Sequence, residues 1–237
     1  MSTDRHRFSD IRGIIEAIEA SNGTPSLGFS PPLASGFEQK YAIGPERVPI
    51  PHRELSFQKK IYDLLVRGQI RIEARQVFAG ADEYFIFEGN GRTELVRLRW
   101  GSNRPCQLTT KVQVEGGKNV ERQQSDVSFA FKDRAKMRTL FVQIGKTVKR
   151  CRHFIVGQSG EFWFVSGKDG HRVEIVLYKA GRGELEATSK LRLFAEIAPR
   201  GCPNAKVASQ IITSYEHMLE LEGCQIKKTL AEIFGPP

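Results

Sequence analysis

Basic and acidic residues recur two apart along this chain, and in a strand that spacing places them on one face. Arg71, Glu73 and Arg75 share such a face, with Ile70, Ile72 and Ala74 opposite. Arg97 and Arg99 alternate with Val96, Leu98 and Trp100, and Gln107, Thr109, Lys111 and Gln113 alternate with Leu108, Thr110, Val112 and Val114. Arg150 and Arg152 lie opposite Cys151, His153 and Ile155, Arg172 and Glu174 opposite Val173, Ile175 and Leu177, and Glu196 opposite Ala195 and Ile197. Every exposed sheet has a polar face, but a solvated one usually mixes Ser, Thr, Asn and acids more evenly. Here Arg and Lys dominate, with single Glu residues among them. That set suits a polyphosphate gripped by guanidinium and ammonium groups, with a divalent cation, Mg²⁺ or Mn²⁺, held by the carboxylates.

The elements that must position these residues are mostly strands. Alternation marks 69–78, 83–88, 93–100, 107–114, 124–131, 150–156, 161–166, 171–179 and 191–198, with turn signals at Gly89-Asn90-Gly91, Gly116-Gly117 and Lys168-Asp169-Gly170. One helix interrupts them over 132–144, with Met137, Leu140, Phe141 and Ile144 on one stripe. Helices are also expected at 54–66, 205–222 and 226–234. Near the N-terminus, residues 11–20 read as a short helix carrying Ile11, Ile14, Ile15 and Ile18 on one side. Residues 22–51 are rich in Pro, Gly and Ser and read as an arm running over the outside. The expected organisation is residues 1–53 as N-terminal helix and arm, and 54–237 as the main domain. The expected fold is α+β, an antiparallel barrel of eight or nine strands closed around its charged faces, with helices packed on its apolar ones.

Composition narrows the function classes. The chain has 237 residues, enough for a substantial core, and its 36 Lys and Arg against 27 Asp and Glu give a net charge of +9. An anionic partner is favoured: nucleic acid, nucleotide or polyphosphate. Cys106, Cys151, Cys202 and Cys224 form no C-x-x-C pair, and the five histidines show no metal-ligand spacing, so zinc or redox chemistry is not indicated. No apolar run reaches the roughly 18 residues of a membrane span, and the N-terminus shows no signal-peptide pattern. A cytoplasmic or nuclear location is expected.

The order of the short motifs resembles a known family. Ile70-Arg71-Ile72-Glu73-Ala74-Arg75 resembles the first-strand E-x-E-x-K/R motif of the triphosphate tunnel metalloenzymes, the CYTH-like superfamily. Val96-Arg97-Leu98-Arg99 is similar to its R-x-R strand and Leu108-Thr109-Thr110-Lys111 to its L-T-x-K strand, with Arg122 where an R-x-E strand would begin. Lys149-Arg150-Cys151-Arg152 resembles its K-x-R segment, and Val173-Glu174-Ile175 and Ala195-Glu196-Ile197 its late acidic strands. The resemblance spans residues 69–198. It implies that Arg75, Arg97, Arg99, Lys111, Arg150 and Arg152 bind phosphates and that Glu73, Glu174 and Glu196 bind the metal, with Glu73 or Glu196 polarising a water. The I-E-A-R form of the first strand looks most like the RNA triphosphatases, which implies hydrolysis of an RNA 5′-triphosphate.

The chain also departs from that pattern. Arg71 stands where the first acid would be, Gln124 where an acid would follow Arg122, and Ala198 where a second late acid would be. A depleted acidic set fits the alternative of a non-catalytic tunnel-fold subunit, resembling those of the Mediator head, that binds protein or RNA partners, in part through the N-terminal arm. A plain nucleic-acid-binding barrel is a weaker reading, because Phe85, Phe87, Phe129 and Phe131 fall at core-like alternating positions instead of clustering for base stacking.

Overall fold

Alternation of apolar and polar residues yields strands here, and two of them run further than the pattern suggests. The computed structural model describes residues 37–89, 92–103, 106–114, 123–128, 131–147, 151–184 and 190–236. The helix expected at 11–20, residues 22–36 of the arm, Arg122, Lys149 and Arg150 lie outside the described residues. In chain order the elements are β1 (Gln39–Ala42), α1 (Ile50–Val66), β2 (Ile70–Gly89), β3 (Arg92–Ser102), β4 (Gln107–Val114) and β5 (Gln123–Ser128). A 3-10 turn (Phe131–Asp133) leads into α2 (Arg134–Thr147), followed by β6 (Cys151–Gly167), β7 (Arg172–Arg182), β8 (Arg192–Arg200), α3 (Ala205–Met218), β9 (Gln225–Ile226) and α4 (Leu230–Phe234).

The long strands β2 and β6 each absorb two of the expected strands. Their interior glycines and small residues permit close approach instead of marking turns. A Cβ on Gly160 of β6 would lie 2.1 Å from the Leu177 carbonyl oxygen, and, beside β2, one on Gly101 of β3 would lie 2.3 Å from the Ala79 carbonyl oxygen.

The chain divides into two compact units. The first comprises Glu83–Trp100 and Pro105–His153, the second Ser30–Asp82, Gly101–Arg104 and Phe154–Pro237, taken over their described residues. The first unit contains the strand order β5-β4-β3-β2, and the second β2-β6-β7-β8-β1-β9. Among the described residues β5 and β9 are the two ends of this order, so the antiparallel sheet is not closed into the expected barrel. Period-two alternation gives each strand two faces, but nothing in it requires the last strand to find the first.

In the second unit, α1 places Phe57, Ile61 and Leu64 on one stripe, and these pack with Ile70, Trp163, Val165, Val173, Ile175, Leu177, Leu193, Ala195 and Ile197. Burying each large apolar side chain contributes about 2 kcal/mol. Helix α3 adds Ile211 and Tyr215 to the same core. The Asn204 side chain caps α3 by accepting from the Val207 N–H at 3.0 Å, an interaction worth about 1 kcal/mol.

Part of the segment expected to run outside as an arm instead supplies β1. Tyr41 is fully buried and pairs with Ala195 of β8 on one side and Gln225 of β9 on the other. In the first unit, α2 covers the face carrying Phe85 and Trp100. The Phe141 ring lies 5.7 Å from that of Phe85, and the Arg134 guanidinium stacks 3.6 Å over the Trp100 ring. Among the described residues, no helix is long and apolar enough to cross a membrane.

Candidate functional site

Cross-strand register decides which charges meet in the second unit. Glu174 pairs with Ala198 and Val176 with Glu196, so the two glutamates are diagonal neighbours on one face of β7 and β8. Diagonal positions are about 7–8 Å apart at Cα. Lys40 of β1 stands directly across from Glu196, and its ammonium lies 2.9 Å from Glu196 Oε1. The Tyr178 hydroxyl donates to the same oxygen at 2.6 Å. Glu174 is ion-paired with Arg200. The face is not lined by charge alone, because Phe194 and Tyr178 share it, with ring centroids 5.5 Å apart. An aromatic wall lowers the local dielectric and strengthens the ion pairs beside it.

The first-strand residues separate. Glu73 lies 3.6 Å from Arg71 and 3.7 Å from Arg172, which shares the face of Glu174. Arg75, two residues on, instead turns toward α1. It donates through Nε and Nη2 to Glu161 at 2.9 and 3.0 Å, and through Nη1 to the Tyr62 hydroxyl at 3.0 Å. Glu161 stands across from Leu177, a core residue packed under α1. Alternation therefore slips between Glu73 and Arg75, and the expected common face of Arg71, Glu73 and Arg75 does not form. The bidentate bond to Glu161 raises the pKa of the Arg75 guanidinium above its ordinary value.

In the first unit, Arg97 donates through Nη2 to the Thr109 hydroxyl at 2.7 Å, and Thr109 is fully buried. Register places Arg99 opposite Gln107 and Lys111 opposite Leu95, which puts Arg97, Arg99 and Lys111 on one face of β3 and β4. Arg152 is ion-paired with Glu88. The expected phosphate ligands Arg97, Arg99, Lys111 and Arg152 thus belong to the first unit, and Arg75 with the three glutamates to the second.

A three-carboxylate metal centre does not form: among the described residues no group of three or more His, Cys, Asp and Glu side chains could hold an ion. A Mg²⁺ ion, however, commonly takes one or two carboxylates and fills its sphere with phosphate oxygens and water. Glu174 and Glu196 fit that requirement as a pair. Glu73 does not, because it sits on a different strand between two guanidinium groups.

Sequence reasoning missed Lys40, Tyr178 and Arg200. The signal for Lys40 was present, since Tyr41 and Ile43 alternate with it, but the run is short and embedded among prolines. It also missed Glu83, a fully buried carboxylate. Its Oε1 accepts from Arg138 Nε at 2.8 Å and meets His153 Nε2 at 2.6 Å, and His153 stacks on Phe85 at 4.5 Å.

The fold and the site define an α+β protein with an antiparallel sheet, whose second unit carries interleaved carboxylates and cations on one face of β7 and β8 and whose first unit carries a basic row on β3 and β4. No protein-family model and no curated protein sequence matches the chain.

Proposed function

We propose that this chain is a metal-dependent triphosphate hydrolase that removes the terminal phosphate from the 5′-triphosphate end of an RNA. The observation that supports the reading best is the meeting of Glu174, Glu196, Lys40 and Arg200 on neighbouring strands of one unit. Phosphoryl transfer asks mainly for positioning and charge neutralisation, and these residue types supply both. A bound Mg²⁺ or Mn²⁺ ion neutralises charge on the phosphate oxygens.

The chain's own residues do the rest. Glu174 and Glu196 offer carboxylate oxygens to the ion. Lys40 and Arg200, each already beside a carboxylate, present cations to a phosphate arriving there. The Tyr178 hydroxyl fixes the orientation of Glu196, the carboxylate that in this reading accepts a proton from an attacking water. Within the first unit, taken by itself, the basic positions Arg97, Arg99 and Lys111 of β3 and β4 are a separate place where a polyanion would be held.

The test is release of inorganic phosphate from triphosphate-ended RNA, ATP and tripolyphosphate, with and without Mg²⁺ or Mn²⁺. Metal-dependent release from the RNA is the expected result. A second reading, a binding subunit without catalysis, is favoured by one observation: Glu174 and Glu196 are each already neutralised by a cation of the chain itself. Triphosphate binding with no phosphate release under any divalent ion would establish that reading instead.

A further inference from the structure

We propose that the outer face of α2, with the turn before it, is a docking surface for the phosphodiester backbone of RNA. The segment 131–147 holds five basic residues, Lys132, Arg134, Lys136, Arg138 and Lys146, against one acid, Asp133. The structure divides these five by use. Arg134 stacks over Trp100 and Arg138 bonds to the buried Glu83, so both arginines pin the helix to its own unit. Met137 and Phe141 are buried on that side as well.

The lysines point the other way. Lys132, Lys136, Thr139, Gln143 and Lys146 follow one another four and three residues apart, which draws a single stripe along the helix. All five are exposed. Among the described residues, no ion pair engages Lys132, Lys136 or Lys146, and none shares the stripe with an acid. At 1.5 Å per residue the stripe is about 21 Å long, enough to follow a backbone past several phosphates.

The composition selects the partner. The stripe has no apolar side chain to bury in a protein interface or insert into a bilayer. It has no aromatic side chain on which bases could stack. What it offers is ammonium charge with a hydroxyl and an amide as added donors, the set that contacts phosphates without reading sequence. The proposal rests on the triphosphate-RNA reading for the identity of the polyanion, and it assigns to α2 the task of holding the body of the chain whose end is processed.

The test is fluorescence anisotropy of the full chain with a labelled single-stranded RNA of twenty nucleotides ending in a 5′-hydroxyl, so that no triphosphate contributes. Wild type should bind with an affinity that falls steeply with salt. Each lysine lost from a single-strand contact should lower the salt slope by about 0.7, so K132A/K136A/K146A should lower it by about 2 and weaken binding at least tenfold at low salt. The charge-conserving K132R/K136R/K146R should bind as wild type does. Tripolyphosphate binding should be unchanged in both variants.

Three results would overturn the proposal: no binding of the 5′-hydroxyl RNA by wild type, an unchanged slope in the alanine variant, or equally lysine-dependent binding of phosphatidylserine vesicles. Failure of the hydrolase reading looks different, because tripolyphosphate would be left intact while lysine-dependent RNA binding persisted.

Discussion

The acidic face of the second unit and the basic row of the first treat charge in opposite ways. On β7 and β8, each glutamate has a cation beside it: Lys40 at Glu196 and Arg200 at Glu174. On β3, Arg97 donates through Nη2 to two neutral oxygens, the Thr109 hydroxyl at 2.7 Å and the Gln107 side-chain carbonyl at 3.5 Å. A charge-assisted bond to a neutral oxygen orients the guanidinium without cancelling its charge. The second unit therefore stores its charge as pairs that a ligand must exchange.

The sharpest way to break this contrast is Glu196→Gln. It keeps the shape and the acceptor for Tyr178 but removes the carboxylate, and phosphate release should fall at least about a hundredfold. Glu73→Gln should have a much smaller effect, because Glu73 is ion-paired with Arg71 and Arg172 and not grouped with Glu196. Equal losses in steady-state phosphate-release assays would show that the two carboxylates act together after all.

Next in size is Glu83→Gln, which probes how the first unit is held. Its carboxylate is completely buried and gathers Arg138 and His153. Losing these charged hydrogen bonds should cost about 2 kcal/mol, read as a lower midpoint in urea unfolding with an unchanged slope. An unaltered midpoint would mean that α2 is held by Met137, Phe141 and the Arg134–Trp100 stack without help from Glu83.

Arg97→Ala should weaken tripolyphosphate binding by about tenfold, the loss of one charge-assisted contact, measured by titration calorimetry. Lys40→Ala should act differently, lowering turnover as well as binding, because Lys40 touches the carboxylate it would leave unpaired.

The smallest effect concerns Glu216, a buried carboxylate whose pKa is raised by burial and by the nearby Glu222. A carboxyl group with a raised folded-state pKa favours the folded chain while protonated, and that stability is lost as pH rises through the raised value. Glu216→Gln keeps the oxygen that accepts from the Gln225 amide. It should therefore raise the melting temperature at pH 7 by a degree or so, on the order of a few tenths of a kcal/mol, and leave it unchanged below about pH 4.

The sequence by itself determined which segments between residues 69 and 198 form strands and which forms a helix, among the described residues, though not that β2 and β6 each run through two of the expected strands. Alternation marked the strands, and the stripe of Met137 and Phe141 marked α2, because these periods follow from backbone geometry within each element. It also determined which residue types could grip phosphate. Only the tertiary structure decided which of them meet. The slip between Glu73 and Arg75 sends the arginine to Tyr62 and Glu161, and no local pattern announces it. The four residues of β1 are too few to stand out among prolines, yet they bring Lys40 to Glu196 through pairing with a strand more than 150 residues away. Long-range register, set by burial of Tyr41 and its neighbours, made that contact.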